Sequence, residues 1–495
     1  MTALYRILGW LLLTQGLLLA LVFLQPHWKP YTQGLPFEVR FPTIAEILGT
    51  PSQAPDSTNL QNIRRQFALT DTLSDQDTLP ETTIGGGLGS LIDIGDTIPT
   101  DTLSVNVIQN PMNEEQKTAL EAFFQSLAYL QSHPEADTVV RLAHYGDSQI
   151  EGDRITEYLR KYFQKQFGGS GLGYIPFVEQ ATHHAFKRTL KGNWKNYTIF
   201  QNKYKNRYYG LSGCVFRFGT AKEGQHKRAS IYISFPYRRQ SYDHLRLMYG
   251  KNEAPFDLAV RNTKDSVVYE HRFPKSDTVH YVNLPVESMS KGFQLQWESE
   301  SSPDLYGLFL ESKSGVQIDN FALRGHSGIG LTSIDQYFLK AQLTLLGTKL
   351  IIFHYGGNIV PYDSPNFLWY EQEVYRMLRY YQRAVPDASL LVVGVADAGY
   401  KKGEKLHTFA SVPKIRDAQK RAAERAGVAF WDLYEVMGGS GAILTWAQAK
   451  PALVGHDLAH FTPYGQKLVA NLLFSALMKE YNRYLKEVTK PQAPQ

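Results

Sequence analysis

The sequence predicts an α/β protein in which a parallel sheet covered by helices is interrupted by an antiparallel β-sandwich. Short apolar runs resembling buried strands recur at residues 139–145, 350–355, 390–395 and 428–433, with helical patterns between the later ones. That alternation belongs to a parallel sheet with helices on both faces. Between about 177 and 314 the texture changes to strand-like pieces at 229–235, 244–249, 256–260, 279–284 and 293–297, separated by turn residues at short intervals. This is the pattern of an antiparallel sandwich, set inside the α/β domain. The size agrees, because 495 residues exceed one ordinary core and a composition 43% hydrophobic and 13% aromatic can fill two.

The elements follow in chain order. Residues 7–24 are apolar apart from Gly9, Thr14, Gln15 and Gly16, a length that spans a bilayer core. The run leads into Gln25-Pro26-His27-Trp28 instead of a small-x-small cleavage site, so residues 1–28 read as an uncleaved anchor, with a cleaved signal peptide as the alternative. Arg6 lies before the run and only Lys29 close after it, which leaves the N-terminus inside and the body exported to the cell envelope, periplasmic or extracellular. Residues 29–107 read as a disordered acidic linker: 71–101 holds seven acidic residues, no basic ones, and the flexible run Gly85-Gly86-Gly87-Leu88-Gly89. Pro111 opens a helical pattern through Leu120, Phe123, Phe124, Leu127 and Leu130 that ends before His133-Pro134.

The first strand and its flank, 108–178, open the α/β domain; 179–314 is the inserted sandwich; 315–487 completes the α/β domain. The segment 306–323, interrupted by Lys313-Ser314-Gly315, is expected to return the chain to the parallel sheet. The last helix is marked by Thr462 as cap, Pro463 in its first turn, and the stripe Leu468, Val469, Leu472, Leu473, Ala476 and Leu477.

Composition removes some classes of partner and chemistry. A net charge of +5 over this length does not require a polyanion, and the single Cys214 can close no intrachain disulfide and lacks companions for a metal cluster. His183-His184 has no further histidine or carboxylate at ligand spacing, so no metal is assigned. Residues 180–222 hold nine Lys or Arg and no Asp or Glu, interleaved with Trp194, Tyr197, Tyr204, Tyr208 and Tyr209. Aromatic faces and cations suit sugar rings, and Trp194, Lys203, Lys205 and Arg207 are the candidate substrate-binding residues; nucleic acid is not expected outside the cytoplasm.

The chemistry concentrates in turns after strands. Gly146-Asp147-Ser148-Gln149 follows the first strand, and Asp457-Leu458-Ala459-His460 precedes the last helix. A serine hydroxyl needs a base to take its proton, and an imidazole needs a third group to fix its tautomer, so Ser148, His460 and Asp457 together can make an activated nucleophile. Gly325 in Arg324-Gly325-His326-Ser327-Gly328 and Asn358 in Gly356-Gly357-Asn358 also follow expected strands. A backbone N–H and an amide side chain there suit the negative charge that acyl transfer puts on a carbonyl oxygen. His144 and His326 are expected to shape the pocket, and His354 to be a satisfied strand-end histidine.

The order Gly146-Asp147-Ser148, then Gly325, then Gly356-x-Asn358, then Asp457-x-x-His460 resembles the four sequence blocks of the SGNH hydrolases, also called the GDSL esterase/lipase superfamily, over about residues 138–178 and 315–480. The resemblance implies a flavodoxin-like α/β/α domain with Ser148 as nucleophile, His460 as base and Asp457 as its orienting acid. It implies an oxyanion hole made by Ser148 N–H, Gly325 N–H and the Asn358 side chain, with Gly328 in place of Gly325 if that turn is registered three residues later. The leucine of the GDSL motif is Gln149 here. An SGNH domain interrupted by a carbohydrate-module-like β-domain looks like exported peptidoglycan O-acetylesterases. That likeness implies a partner: a peptidoglycan, cell-wall or surface polysaccharide carrying O-acetyl or other esters. The function expected is therefore a membrane-anchored serine esterase without cofactor. An O-acetyltransferase of the same fold and a non-catalytic glycan-binding surface protein are the alternatives.

Overall fold

The computed structural model describes residues 105–113, 117–179, 181–204, 206–219, 227–236, 241–284 and 289–489, all within one compact unit of the chain. The expected anchor at 7–24, the linker as far as 104, and Lys205 lie outside the described residues. Among the described residues no helix is long and apolar enough to cross a membrane.

Six strands form the central sheet: β1 (Ile108–Gln109), β2 (Val139–Gly146), β3 (Gly315–Ala322), β4 (Thr348–His354), β5 (Ser389–Val393) and β6 (Ala429–Trp431). Their order is β1-β6-β5-β4-β2-β3; every pair is parallel except the edge pair of β1 with β6. Without β1, chain order across the sheet reads 2-1-3-4-5, the flavodoxin-like doubly wound arrangement.

Alternate residues of each strand serve opposite faces, as the pleat requires. Val140 and Leu142 of β2, with Leu350 and Ile352 of β4, pack against helices α1 (Glu121–Ser132) and α2 (Arg154–Phe167) and the last helix. Ala143 and Tyr145, with Ile351 and Phe353, face α3 (Gln336–Leu346), α4 (Leu368–Ala384) and α5 (Ser411–Ala426). Two short helices, α6 (Leu433–Met437) and α7 (Ala442–Gln448), precede the last one, α8 (Pro463–Val488). Its cap is as expected: Thr462 Oγ1 accepts from Gly465 N at 3.3 Å, and the whole stripe from Leu468 to Leu477 is buried.

Between β2 and β3 the chain builds two antiparallel sheets. One has the order Val267–Phe273, Phe256–Asn262, Gly292–Ser299, Lys227–Ser234, Lys187–Lys191. The other runs His280–Leu284, His244–Tyr249, Leu305–Glu311, Cys214–Phe218, Trp194–Thr198. Aromatic rings fill the space between them: Trp194 stacks on Phe177 at 5.5 Å and meets Trp297 edge-on at 5.6 Å, while Tyr249 meets Phe256 at 5.1 Å.

Three expectations need correction. The stretch 306–323 does not return to the parallel sheet as one piece: Leu305–Glu311 pairs with His244–Tyr249, and only Gly315–Ala322 joins β2. Both halves carry strand-like apolar residues, and nothing in either names the sheet it joins. Gly173–Ile175, expected within the α/β domain, pairs with Leu308–Leu310 of the antiparallel sheet. Pro111 does not open a helix; its carbonyl accepts from Ala119 N in a loop, and α1 begins at Glu121.

A buried ionic cluster joins the two regions. Arg141 of β2 donates to Asp319 of β3 at 2.7 Å and to Glu311 of the antiparallel sheet, and Glu311 also accepts from Tyr281. Deleting one partner of such a buried set costs about 3–5 kcal/mol, because the remaining charge is left uncompensated.

Candidate active site

The carboxyl ends of β2, β4 and β5 deliver turns to one side of the sheet, where doubly wound folds bind ligands. Behind Ser148 the turn is tight: Asp147 Oδ1 accepts from Gln149 N at 3.0 Å, and a Cβ on Gly146 would lie 2.9 Å from the His354 carbonyl oxygen. Arg154, at the start of α2, donates to the Ser148 carbonyl at 2.5 Å.

The loop before α8 brings His460 to this turn. His460 Nε2 lies 2.8 Å from Ser148 Oγ, and His460 Nδ1 lies 2.6 Å from Asp457 Oδ2. With the proton on Nδ1 held by the carboxylate, the Nε2 lone pair faces the serine hydroxyl. The other Asp457 oxygen, Oδ1, accepts from the N–H groups of Ala459 and His460 at 3.2 and 3.1 Å. Burial raises the Asp457 carboxyl, but the hydrogen bonds from the His460 ring and these two amides outweigh it and hold the group below its ordinary pKa. The carboxylate is therefore charged at neutral pH, as an imidazole partner requires. Leu458 between them adopts φ 53°, a left-handed conformation unusual for leucine, held by its carbonyl accepting from Gly399 N at 2.8 Å. Gln149 donates to the Ala459 carbonyl at 2.6 Å, so the Ser148 turn and the His460 loop are bonded directly.

Asn358 follows β4 and reaches the same place. Its Nδ2 donates to Asp147 Oδ2 and to the His326 carbonyl, each at 3.0 Å. Both amide hydrogens are thus engaged, and one bond must be shared or released for Nδ2 to meet an oxyanion. Gly356 makes the turn with φ 127°; a Cβ there would lie 2.7 Å from Val395 Cβ. The N–H groups of Ser148 and Gly325 have no acceptor among the described residues, whereas Gly328 N donates to His326 Nδ1 at 3.1 Å. Gly325 is therefore the better-suited donor of the two. It lines a neighbouring cleft instead of the hollow containing Ser148.

That hollow has a volume of about 230 Å³ and is walled by Asn358, Pro361, Val395, Ala396 and Phe409 around Ser148 and His460. A larger groove, about 1130 Å³, lies at the opposite end of the sheet beside Val139, Lys349 and Ser389, but no histidine lines it. Three buried ionisable groups surround the smaller hollow. Burial lifts Asp147 to about 6, opposed by bonds from Gln149 and Asn358. Burial likewise lifts Asp397, which accepts from Ile443 N at 2.9 Å, to about 6, and lowers His354 to about 4. His354 is not the satisfied strand-end histidine expected: neither ring nitrogen has a partner among the described residues. Its ring stacks on His144 at 5.7 Å, whose Nδ1 lies 2.9 Å from Thr156 Oγ1. His326 is buried, which lowers it to about 4 and keeps it neutral.

The described substrate-binding candidates have different surroundings, and Lys205 lies outside the described residues. Trp194 is half-buried, packed against the inter-sheet core, with its Nε1 donating to Lys191 and Ser230 carbonyls. Arg207 is tied to the α/β domain by bonds to the carbonyls of Ser333 at 3.0 Å and Thr332 at 3.1 Å. Lys203 is exposed. His183 stacks on Phe186 and His184 faces Glu157 at 3.4 Å. Sequence reasoning missed the bond from Asn358 to Asp147 and the bond from Gln149 to the His460 loop; no local pattern announces either.

No protein-family model and no curated protein matches the sequence. Among solved structures, "Peptidoglycan O-acetylesterase in action, 5 min" matches with a TM-score of 0.60 at 19% identity, over 76% of this chain and 99% of that one. The chain shares that protein's fold. An acetyl xylan esterase, AlAXEase, matches with a TM-score of 0.26 at 13% identity, over 33% of this chain and 81% of that one. A family two carbohydrate esterase from Cellvibrio japonicus matches with a TM-score of 0.25 at 10% identity, over 61% and 99%.

Proposed function

We propose that the chain is a serine esterase that removes acyl groups, acetyl first among them, from a cell-wall or surface polysaccharide. The observation that carries this reading is the continuous relay from Asp457 through His460 to Ser148, open to a small hollow. The peptidoglycan O-acetylesterase that shares the fold supports the substrate class. The apolar run at 7–24 supports anchoring to a membrane, with the catalytic body exported.

Ser148 Oγ attacks the ester carbonyl as His460 Nε2 takes its proton. Asp457 holds the imidazole in the required tautomer and stabilises the imidazolium. Charge on the carbonyl oxygen is met by the N–H groups of Ser148 and Gly325 and by Asn358 Nδ2. His460 returns the proton to the departing sugar hydroxyl and leaves an acyl-Ser148 ester. Water deprotonated by His460 then attacks that ester and frees the carboxylic acid and Ser148. The walls formed by Pro361, Val395 and Phe409 suit a short acyl group.

Hydrolysis of 4-nitrophenyl acetate, together with labelling by an organophosphonate, tests the reading. Adduct on Ser148 and loss of turnover in Ser148→Ala are expected; turnover unchanged in that variant would overturn it.

A further inference from the structure

A second cleft, about 400 Å³, opens where the antiparallel sheets meet the carboxyl end of β3. Asn196, Thr198 and Phe200 line it from one side, and Glu151, Arg324 and Gly325 from the other. Its size falls within the roughly 300–1,000 Å³ of typical small-molecule sites. Glu151 stands three residues beyond Ser148, and Gly325 carries the N–H assigned above to the oxyanion hole, so an occupant lies against the catalytic turns.

The lining selects a chemistry. Its two carboxylates are already paired, Glu151 with Arg324 at 2.6 Å and Glu179 with Arg188 at 2.9 Å, so no unmatched charge calls for an ion. What remains is amide, hydroxyl and aromatic surface: the Asn196 side chain, the exposed Gln201, Thr198 and the ring of Phe200. Asn196 Oδ1 is shielded from solvent and has no hydrogen-bond partner among the described residues, a condition that favours an incoming donor. Phe200 packs on His326 with ring centroids 5.4 Å apart, and His326 offers its carbonyl to Asn358. The cleft and the oxyanion donors therefore share one loop.

We propose that this cleft binds hexosamine rings next to the acylated one, pairing their hydroxyl and N-acetyl groups with Asn196 and Gln201 and stacking a ring on Phe200. It would take over the glycan-binding role expected of Trp194, whose half-buried ring packs on Phe177 and Trp297. The proposal rests on the esterase reading for its substrate.

The test compares an O-acetylated hexosamine tetrasaccharide with 4-nitrophenyl acetate. Asn196→Ala is expected to raise KM for the tetrasaccharide about tenfold, the scale of one lost hydrogen bond, while aryl ester hydrolysis stays within about twofold. Asn196→Trp, which fills the cleft, is expected to abolish tetrasaccharide turnover and spare the aryl ester. Unchanged tetrasaccharide KM in both variants, or equal losses on both substrates, would overturn the cleft. If the wild-type protein leaves the aryl ester intact, the esterase reading fails. Calorimetry of the unacetylated tetrasaccharide with wild type and Asn196→Trp then decides the cleft: binding lost in the variant upholds it, and equal or absent binding overturns it.

Discussion

Two stretches carry the chemistry visible in the sequence, the turns after the parallel strands and the basic aromatic stretch 180–222, and the fold treats them oppositely. Parallel strands point their carboxyl ends the same way, so Ser148 and Asn358 converge although 210 positions separate them, and the loop before α8 adds His460. In the antiparallel sheets, alternate side chains face inward, and Trp194 packs, half-buried, against Phe177 and Trp297 at the edge of the core. A turn residue stays accessible because of where the strand ends. An aromatic strand residue is claimed by whichever sheet face it falls on.

Substitutions break this contrast in graded steps. Ser148→Ala is expected to lower kcat for an acetyl ester on the order of 10⁶-fold with unchanged thermal unfolding, measured by steady-state kinetics and calorimetry. Asn358→Ala is expected to cost about 10²–10³-fold in kcat, the scale of one oxyanion donor, with KM nearly unchanged. In the other region, Trp194→Ala should cost about 3 kcal/mol of unfolding free energy in urea and leave kcat for a small ester intact. Loss of small-ester activity without loss of stability would refute the core assignment.

Asp147 offers a subtler probe. Its folded pKa is raised by burial from 3.8 to about 6, so the folded state binds this proton more tightly than the unfolded chain. The associated stability is fully present below about pH 4 and is lost as pH rises through about 6, on the order of 3 kcal/mol in all. Asp147→Asn should remove that dependence, seen as a wild-type-minus-variant difference in urea midpoint that shrinks with rising pH. At neutral pH the same variant is expected to lower kcat, because the asparagine amide presents a donor or a weaker acceptor to Asn358. The smallest effect belongs to Lys203→Ala, within about 0.5 kcal/mol of wild type in stability; a large drop in glycan affinity there would restore the surface first expected of the basic stretch.

Most of the parallel sheet was legible because buried strands are continuous apolar runs bounded by turn residues, as at 350–355 and 390–395. The boundary at 306–323 was not, since Leu308 and Ile318 are equally apolar and only pairing separates their sheets. Ser148, His460 and Asp457 could be singled out as candidates because each block has its own short chemistry. Asp147 could not, because its role depends on a bond to Asn358 and on burial, and neither is a property of the turn.

The sequence by itself determined which reactive side chains exist, in what order, and on which turns they sit, since turn residues, caps and strand periodicity are local. Tertiary structure alone decided that His460 Nε2 lies 2.8 Å from Ser148 Oγ across 312 positions, that Asp147 is lifted toward neutrality, and that Trp194 packs against the core while Asn196 faces a cleft. The reason is physical: proximity follows from strand order across the sheet, and desolvation follows from what packs on each side chain.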